Sequence, residues 1–274
     1  MKNTPEIPGY IIEQRLGSGG ISVVYSGIQN KTRLKVAIKI LKPQLSIDRN
    51  TSRRFFKEAE IISKLDHPNI VRIHETGYVN NMIYLVMEFL TDTLNKKIGS
   101  RTDLISPSEH LRTIKQIALA LEYAHGKGIV HRDIKSENIM FRSNNNPVLV
   151  DFGLAKIANS IEKLTKPDLT VGTPDYMSPE QIQGLDIDCR TDIYSLGVVL
   201  YEMLIGEVPY KANNYISLAM KHLKKKIPKL PKKIKFLQPL LNQMMAKDRD
   251  KRVSNVSQLI SLLNQYIEKS DFLT

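Results

Sequence analysis

The chain has 274 residues, a formal charge of +12, one cysteine, 42% apolar and 25% charged side chains. That length accommodates one large or two modest cores, and the composition excludes wholesale disorder. The lone Cys189 excludes an internal disulfide, favours a reducing compartment and reads as a small helix-packing residue. No apolar run is long enough to span a bilayer, and the start, Met1-Lys-Asn-Thr-Pro-Glu, lacks a signal peptide's apolar stretch. A cytoplasmic protein without a transmembrane segment of its own is expected.

The first 90 or so residues predict short strands at Tyr10 to Leu16, Val23 to Ile28, Lys35 to Leu41, Ile70 to His74 and Ile83 to Glu88. Between the third and fourth, Asp48 to Leu65 predicts a helix, with Phe55, Ala59, Ile62 and Leu65 at steps near 3.6. The pattern then turns helical. Ser106-Pro107-Ser108-Glu109 is a capping box opening a helix to about His125. Asp192 to Ile205, apolar on most sides and stopped by Gly206, predicts a buried helix. Leu237 to Ala246 and Val256 to Ile267 predict closing helices, and no internal repeat is present. Between Lys221 and Lys235 lie eight lysines (221, 224, 225, 226, 229, 232, 233 and 235) and no acid. A solvated rim is the first reading of that stretch, and a docking patch for an acidic partner, nucleic acid or anionic lipid is the sharper one. No aromatic is interleaved among the lysines, which favours the solvated rim, and nucleic acid in particular is not expected there.

Three stretches carry chemistry. Leu16-Gly17-Ser18-Gly19-Gly20-Ile21-Ser22-Val23-Val24 sits at a strand–turn–strand position, where glycines let backbone N–H groups approach phosphates. Alone it is only a Gly-rich hairpin, and the setting argues against a dinucleotide fold. Val36-Ala37-Ile38-Lys39 follows, with Ala37, Lys39 and Leu41 on one strand face. Taken singly, Lys39 reads as a surface lysine. The helix supplies a partner, because Glu58 falls on its apolar stripe, where a carboxylate is costly unless paired. The third stretch is His131-Arg132-Asp133-Ile134-Lys135-Ser136-Glu137-Asn138, followed by Val148-Leu149-Val150-Asp151-Phe152-Gly153. Asp133, Asn138 and Asp151 supply the oxygen ligands and hydroxyl-orienting base that phosphoryl transfer from Mg-ATP requires.

In these motifs, and over about residues 10 to 267, the sequence resembles the protein kinase superfamily, with the texture of bacterial Hanks-type serine/threonine kinases in Leu-Gly-Ser-Gly-Gly-Ile-Ser and Gly172-Thr-Pro-Asp-Tyr-Met-Ser-Pro-Glu180. The resemblance implies an α+β bilobal protein kinase fold in a single domain, 1–274. Its β-rich N-lobe with one regulatory helix would cover about 1–87, its hinge 88–91 and its α-rich C-lobe 92–274. It implies ATP with Mg2+, or Mn2+ in its place, and protein substrates with serine or threonine acceptors. Leu16 to Val24 would lie over the phosphates, Lys39 would pair with Glu58, and Asp133 would be the base. Asn138 and Asp151 would bind metal, and Lys135 would steady the transferred phosphate. Ala37, Met140 and the gatekeeper Met87 would line the adenine site, with the Glu88 and Leu90 backbone meeting the base.

The same resemblance implies a Glu180–Arg252 ion pair, Asp192 bracing the loop from below, and a spine of Ile62, Ile73, His131 and Phe152. Lys135 and Thr173 match the serine/threonine pattern. Arg132 before Asp133 implies an activation segment ordered by phosphate. Thr165 is the first candidate there, then Thr170, with Ser160 a third, and trans-autophosphorylation would entail self-association. Departures from the pattern are Ser22 for a glycine, Ser136 and Arg249 for prolines, and a shortened hinge exit that leaves Asp92 as the candidate ribose contact. A pseudokinase would have lost Lys39, Asp133 or Asp151, and all three are present. A small-molecule kinase would lack the segment from Asp151 to Glu180.

Overall fold

The computed structural model describes residues 5–19, 22–42, 59–60, 63–80, 82–101, 106–152 and 174–273. They divide into two compact units, the first ending at Thr91 and the second starting at Asp92.

The first unit is built on an antiparallel sheet in the order β1-β2-β3-β5-β4. Its strands are β1 (Tyr10–Ser18), β2 (Ser22–Gln29), β3 (Lys35–Leu41), β4 (Ile73–Val79) and β5 (Met82–Glu88). Alternation sends Val36, Ile38 and Ile40 to one face, where they pack with Ile7, Tyr10, Tyr84 and Val86. Burial of such side chains contributes ~1.5–3 kcal/mol apiece. Beside this core both carboxylate oxygens of Glu75 are used, accepting from Tyr10 and Tyr84 hydroxyls at 2.7 Å each. Burial and then Glu75 push the Tyr84 phenol up to about 12.

One strand differs from its sequence expectation. β4 starts at Ile73 and reaches Val79, whereas Ile70 and Val71, though buried, precede it. The Ile70 N–H closes a turn on the His67 carbonyl at 3.0 Å, so the apolar character there serves core contact rather than a strand. Gly77 lies inside the strand, where a Cβ would stand 2.2 Å from the Tyr84 ring, so only glycine fits there. Of the expected helix from 48 to 65, Ala59, Glu60 and Ser63 are helical. Phe55, Glu58 and Ile62 lie outside the described residues.

The second unit holds a three-stranded sheet, β6 (Asp92–Thr93), β7 (Ile139–Phe141) and β8 (Pro147–Leu149). Its helices are α1 (Leu94–Arg101), α2 (Pro107–His125), α3 (Pro179–Gln183), α4 (Arg190–Ile205), α5 (Tyr215–Lys224), α6 (Gln238–Met244) and α7 (Val256–Leu273). The capping box forms: Ser106 Oγ accepts from the Glu109 N–H at 3.2 Å, and Glu109 Oε2 accepts from the Ser106 N–H at 3.1 Å. Helix α4 is buried from Thr191 through Met203 and ends at Gly206 with φ 88°, the left-handed turn that favours glycine. It is the axle against which α2, α6 and α7 pack. Helix α7 runs past the expected Ile267; Ser270 in its last turn is buried, and Arg112 pairs with Asp271 at 2.7 Å.

Gly197 marks the tightest of these approaches. A Cβ there would lie 2.7 Å from Met245 Cγ and 2.9 Å from Met244 Cβ. Gly197→Val should therefore destabilise the fold by ~1–3 kcal/mol despite removing a helical glycine. Urea unfolding of the two proteins checks this; equal midpoints would show that α6 yields freely.

Candidate active site

In the first unit, strand register gathers one set of side chains on the sheet face opposite the Val36–Ile38–Ile40 core. Lys39 lies between Val24 on β2 and Leu85 on β5, and Ala37 lies between Ser26 and Met87. Cross-strand partners share a face, so Ala37, Met87, Leu85 and Lys39 form one contiguous patch. Lys39 is 6% exposed and Ala37 8% exposed. The surface-lysine reading of Lys39 is thereby replaced: a buried ammonium is costly unless it is partnered. Glu58, Gly20 and Ile21 lie outside the described residues.

The β1–β2 turn brings Gly17 opposite Val24 and Ser18 opposite Val23. The Gly19 N–H donates to the Ser22 carbonyl at 2.9 Å, and space is open where a Gly17 Cβ would sit. Leu16 is exposed and Ser22 buried. At the end of β5 the Glu88 N–H donates to the Arg72 carbonyl at 3.0 Å, while Glu88 Oε1 accepts from the Arg72 N–H at 2.8 Å. Leu90 follows, buried.

In the second unit the segment from His131 to Asn138 is organised by Asp192, a completely buried carboxylate on α4. Its Oδ2 accepts from the His131 N–H and its Oδ1 from the Arg132 N–H, both at 2.8 Å, and His125 Nε2 lies 2.7 Å from Oδ2. Arg132 is held at φ 69° and Asp151 at φ 63°. Left-handed non-glycine residues cost on the order of 1–3 kcal/mol, so they persist only where surroundings over-determine them. For Arg132 those surroundings are Asp192 at its N–H and Gln181 Nε2, which donates to its carbonyl at 2.8 Å.

His131 joins the loop to the strand beyond it. Its Nδ1 accepts from the Asp133 N–H at 3.2 Å, so Nε2 carries the proton that reaches the Val150 carbonyl at 2.9 Å. Its ring meets buried Phe152 edge-on at 4.6 Å between centroids. This is a structural histidine, as its sequence setting implied.

Asp133, Lys135 and Asn138 are brought together. Asn138 Nδ2 donates to the Asp133 carbonyl at 2.8 Å and to Asp133 Oδ2 at 2.9 Å, and Lys135 Nζ lies 3.0 Å from the same oxygen. The Asp133 and Lys135 side chains are 31% and 29% exposed, so this ion pair contributes little stability; it fixes orientation. Because the Asn138 N–H bonds are spent on Asp133, its Oδ1 is the end left to meet a cation. The Val150 N–H donates to the Asn138 carbonyl at 2.9 Å, tying that amide to the strand that delivers Asp151. An amide oxygen and a carboxylate are hard ligands suited to magnesium, which keeps phosphate and water oxygens in its remaining positions. Met140 is half-buried on β7 opposite Thr93, and Asp92 Oδ1 accepts from the Thr93 N–H at 2.9 Å.

Around this loop the structure adds what sequence reasoning passed over. Ser136, which stands where the resemblance has a proline, is completely buried. Its Oγ lies 3.0 Å from the Tyr176 hydroxyl and donates to Glu202 Oε1 at 3.2 Å, while Tyr176 donates to Glu202 Oε2 at 2.7 Å. Burial pushes the Glu202 carboxyl above the usual range even though both hydroxyls donate to it. Below, Arg252 grips Glu180 through two bonds of 2.8 and 3.0 Å, as expected, and Thr191 Oγ1 adds a third at 2.7 Å. Burial alone would raise the Glu180 carboxyl; Arg252 and Thr191 reverse this and hold it below the usual range. Cys189 is half-buried, and burial raises its thiol. Residues 153–173, with Ser160, Thr165, Thr170 and Thr173, lie outside the described residues.

Residues 10–266 match the family model described as "Protein kinase domain". A "Probable serine/threonine-protein kinase" of Clostridium acetobutylicum is 36% identical over 273 residues, covering 97% of this chain and 41% of the relative. The serine/threonine-protein kinase PknB of Mycobacterium tuberculosis is 36% identical over 220 residues, covering 78% of this chain and 35% of its own length. The chain thus spans about two-fifths or less of these relatives. Among solved structures, the PknI kinase domain of Mycobacterium tuberculosis superposes with TM-score 0.74 at 24% identity, covering 95% of this chain and 97% of that one. At that identity the likeness concerns the fold.

Glu202 accepts from the Ser136 and Tyr176 hydroxyls in a buried place, and burial raises its carboxyl all the same. A carboxyl raised in the folded state contributes stability that is fully present below its unfolded value, about 4.3, and is lost as pH rises through the folded value. Glu202→Gln, uncharged with protons of its own, should be at least as stable as the parent at neutral pH. Its advantage should vanish as pH falls into the carboxylate range. Unfolding free energies measured across pH test this; a variant equally destabilised at every pH would show that the charge itself is wanted there.

Proposed function

Because the chain belongs to the protein kinase domain family, we propose that it transfers the γ-phosphate of ATP to serine or threonine hydroxyls of proteins. The observation that carries this reading is the Asp133–Asn138–Lys135 constellation, locked onto Asp192 and onto the strand leading to Asp151. The similarity to relatives named serine/threonine-protein kinases supports the acceptor class.

In this reading Asp133 accepts the proton of the acceptor hydroxyl and aims that oxygen at the phosphorus. Asn138 holds Asp133 in place with its amide nitrogen and turns Oδ1 toward a magnesium ion, with Asp151 as the other protein ligand. Magnesium, or manganese, neutralises charge on the phosphates when bound. Lys135, 3.0 Å from Asp133, meets the phosphoryl oxygens as negative charge moves among them. Lys39, flanked by Val24 and Leu85, reaches other ATP phosphates with Glu58 as its partner. The Gly17–Val24 turn covers them with backbone N–H groups. In the first unit, Ala37, Met87, Glu88 and Leu90 admit the flat adenine. Such chemistry is positioning and charge stabilisation almost throughout.

Asp133→Asn keeps size and an acceptor for Asn138 but removes the base. Turnover with Mg-ATP and a protein acceptor should fall by about 10²–10⁴-fold with ATP affinity and melting temperature nearly unchanged. Wild-type turnover in the purified variant would refute the assignment.

Lys39→Met should depress the rate strongly, and adding Glu58→Gln should cost little more, since residues acting as a unit are non-additive. Measured kcat/KM values for the two single variants and the double variant give the coupling. Fully additive losses would mean that the two do not work as a pair.

A further inference from the structure

The lysine-rich stretch plays no part in the site above, and the structure gives it a definite surface. Lys224, Lys225, Lys226, Lys229, Lys232, Lys233 and Lys235 are all exposed, and among the described residues none of them is ion-paired. Lys221 is set apart, since its ammonium donates to the Lys211 carbonyl. Between Glu207 and Asp248 the chain contains neither an acid nor an arginine.

Helix α5 adds apolar side chains to this charge. It buries Leu218, Ala219 and His222. Its outward stripe carries Ile216, Met220 and Lys224 at successive i, i+4 steps, which share one helix face. Ile216 is 74% exposed and Met220 41% exposed. Two uncovered apolar groups one turn apart, followed along the chain by seven exposed lysines, make an amphipathic basic segment.

We propose that this face, from Ile216 to Lys235, docks on an anionic phospholipid surface, with Ile216 and Met220 entering the headgroup region and the lysines meeting lipid phosphates. The residue types favour this occupant. Lysine is a hydrated point charge without the bidentate fork of arginine, suited to a diffuse field of anions rather than to one shaped ligand. A second copy of the same face would set seven lysines against seven. Nucleic acid would leave Ile216 and Met220 without a role, and the aromatic just beyond the stretch, Phe236, is half-buried under Lys269, whose ammonium lies 5.9 Å from its ring centroid.

The test is sedimentation of the purified chain with vesicles of phosphatidylcholine alone or mixed equally with phosphatidylglycerol. Binding is expected to the mixed vesicles only, and high salt should release it. A lysine near such a surface contributes about a fivefold gain in affinity, so Lys224→Ala/Lys225→Ala/Lys226→Ala should bind about 100-fold more weakly. Ile216→Ser/Met220→Ser should also weaken binding while retaining its salt dependence. All these positions are exposed and outside the catalytic machinery, so phosphorylation of a soluble protein acceptor without vesicles should be unchanged, which separates this inference from the kinase reading. Equal binding to both vesicle types, no binding to either, or a preference for duplex DNA or polyglutamate over the mixed vesicles would overturn it.

Discussion

The second unit depends on one buried anion. Asp192 sits on a helix with no exposed side through its central turns, a place where an isolated carboxylate would be prohibitively costly. It is tolerated because two backbone N–H groups and the His125 ring occupy its oxygens. The dependence runs both ways. The segment containing Arg132 cannot reach its left-handed conformation unaided, and Asp192 supplies the hydrogen bonds that offset the strain. Burial of a charge and strain of a backbone, each unfavourable alone, are thus arranged to offset one another.

Outward from that carboxylate the polar groups form successive layers. His131 takes the loop's next N–H on one ring nitrogen and passes its own proton to Val150. Asn138 binds Asp133 twice and receives Val150 through its carbonyl. Ser136, pointing the other way, binds the loop to Glu202 and Tyr176. Alternate residues of the loop therefore face the core, while Asp133 and Lys135 keep partial exposure. A proline at position 136 would fix the backbone dihedral and offer no hydroxyl. Here the loop is fixed by hydrogen bonding instead, at the expense of holding the Glu202 carboxyl in a poorly solvated place.

Much of this was legible in the sequence because it is local. The Ser106 capping box, the Gly206 stop and the alternation along Lys35–Leu41 each depend on neighbours a few residues away. The motif from His131 to Asn138 pointed by residue type and spacing to the chemistry proposed for it, and the Glu180–Arg252 and Asp192 contacts followed from resemblance. What escaped was non-local. Strand β4 runs past His74 to Val79 because Gly77 lets the Tyr84 ring lie across it. Ile70 and Val71 look like a strand because core contact and sheet pairing demand the same side chains. Ser136 looks neutral until Tyr176 and Glu202, far along the chain, are brought beneath it. Buried polar partners separated by dozens of residues leave no periodicity to read.

The short β7–β8 hairpin shows why such a small element belongs in the site. It carries three paired positions, Ile139–Leu149, Met140–Val148 and Phe141–Pro147, too few for a hairpin to be stable alone. Its ends are fastened from outside, by the Val150 N–H on Asn138 and the Val150 carbonyl on His131. Those two bonds use both backbone groups of the residue immediately before Asp151. The strained φ of Asp151 begins where they end, so the chain turns sharply at a fixed point rather than somewhere along a flexible strand. Asn138 and Asp151 flank the open end of the hairpin, set beside one another by its register, and that register cannot slip without exposing Ile139, Val148 and Leu149, all fully buried. The spacing of the two candidate metal ligands is in this way set by apolar packing, with the hydrogen bonds at Val150 serving to point them.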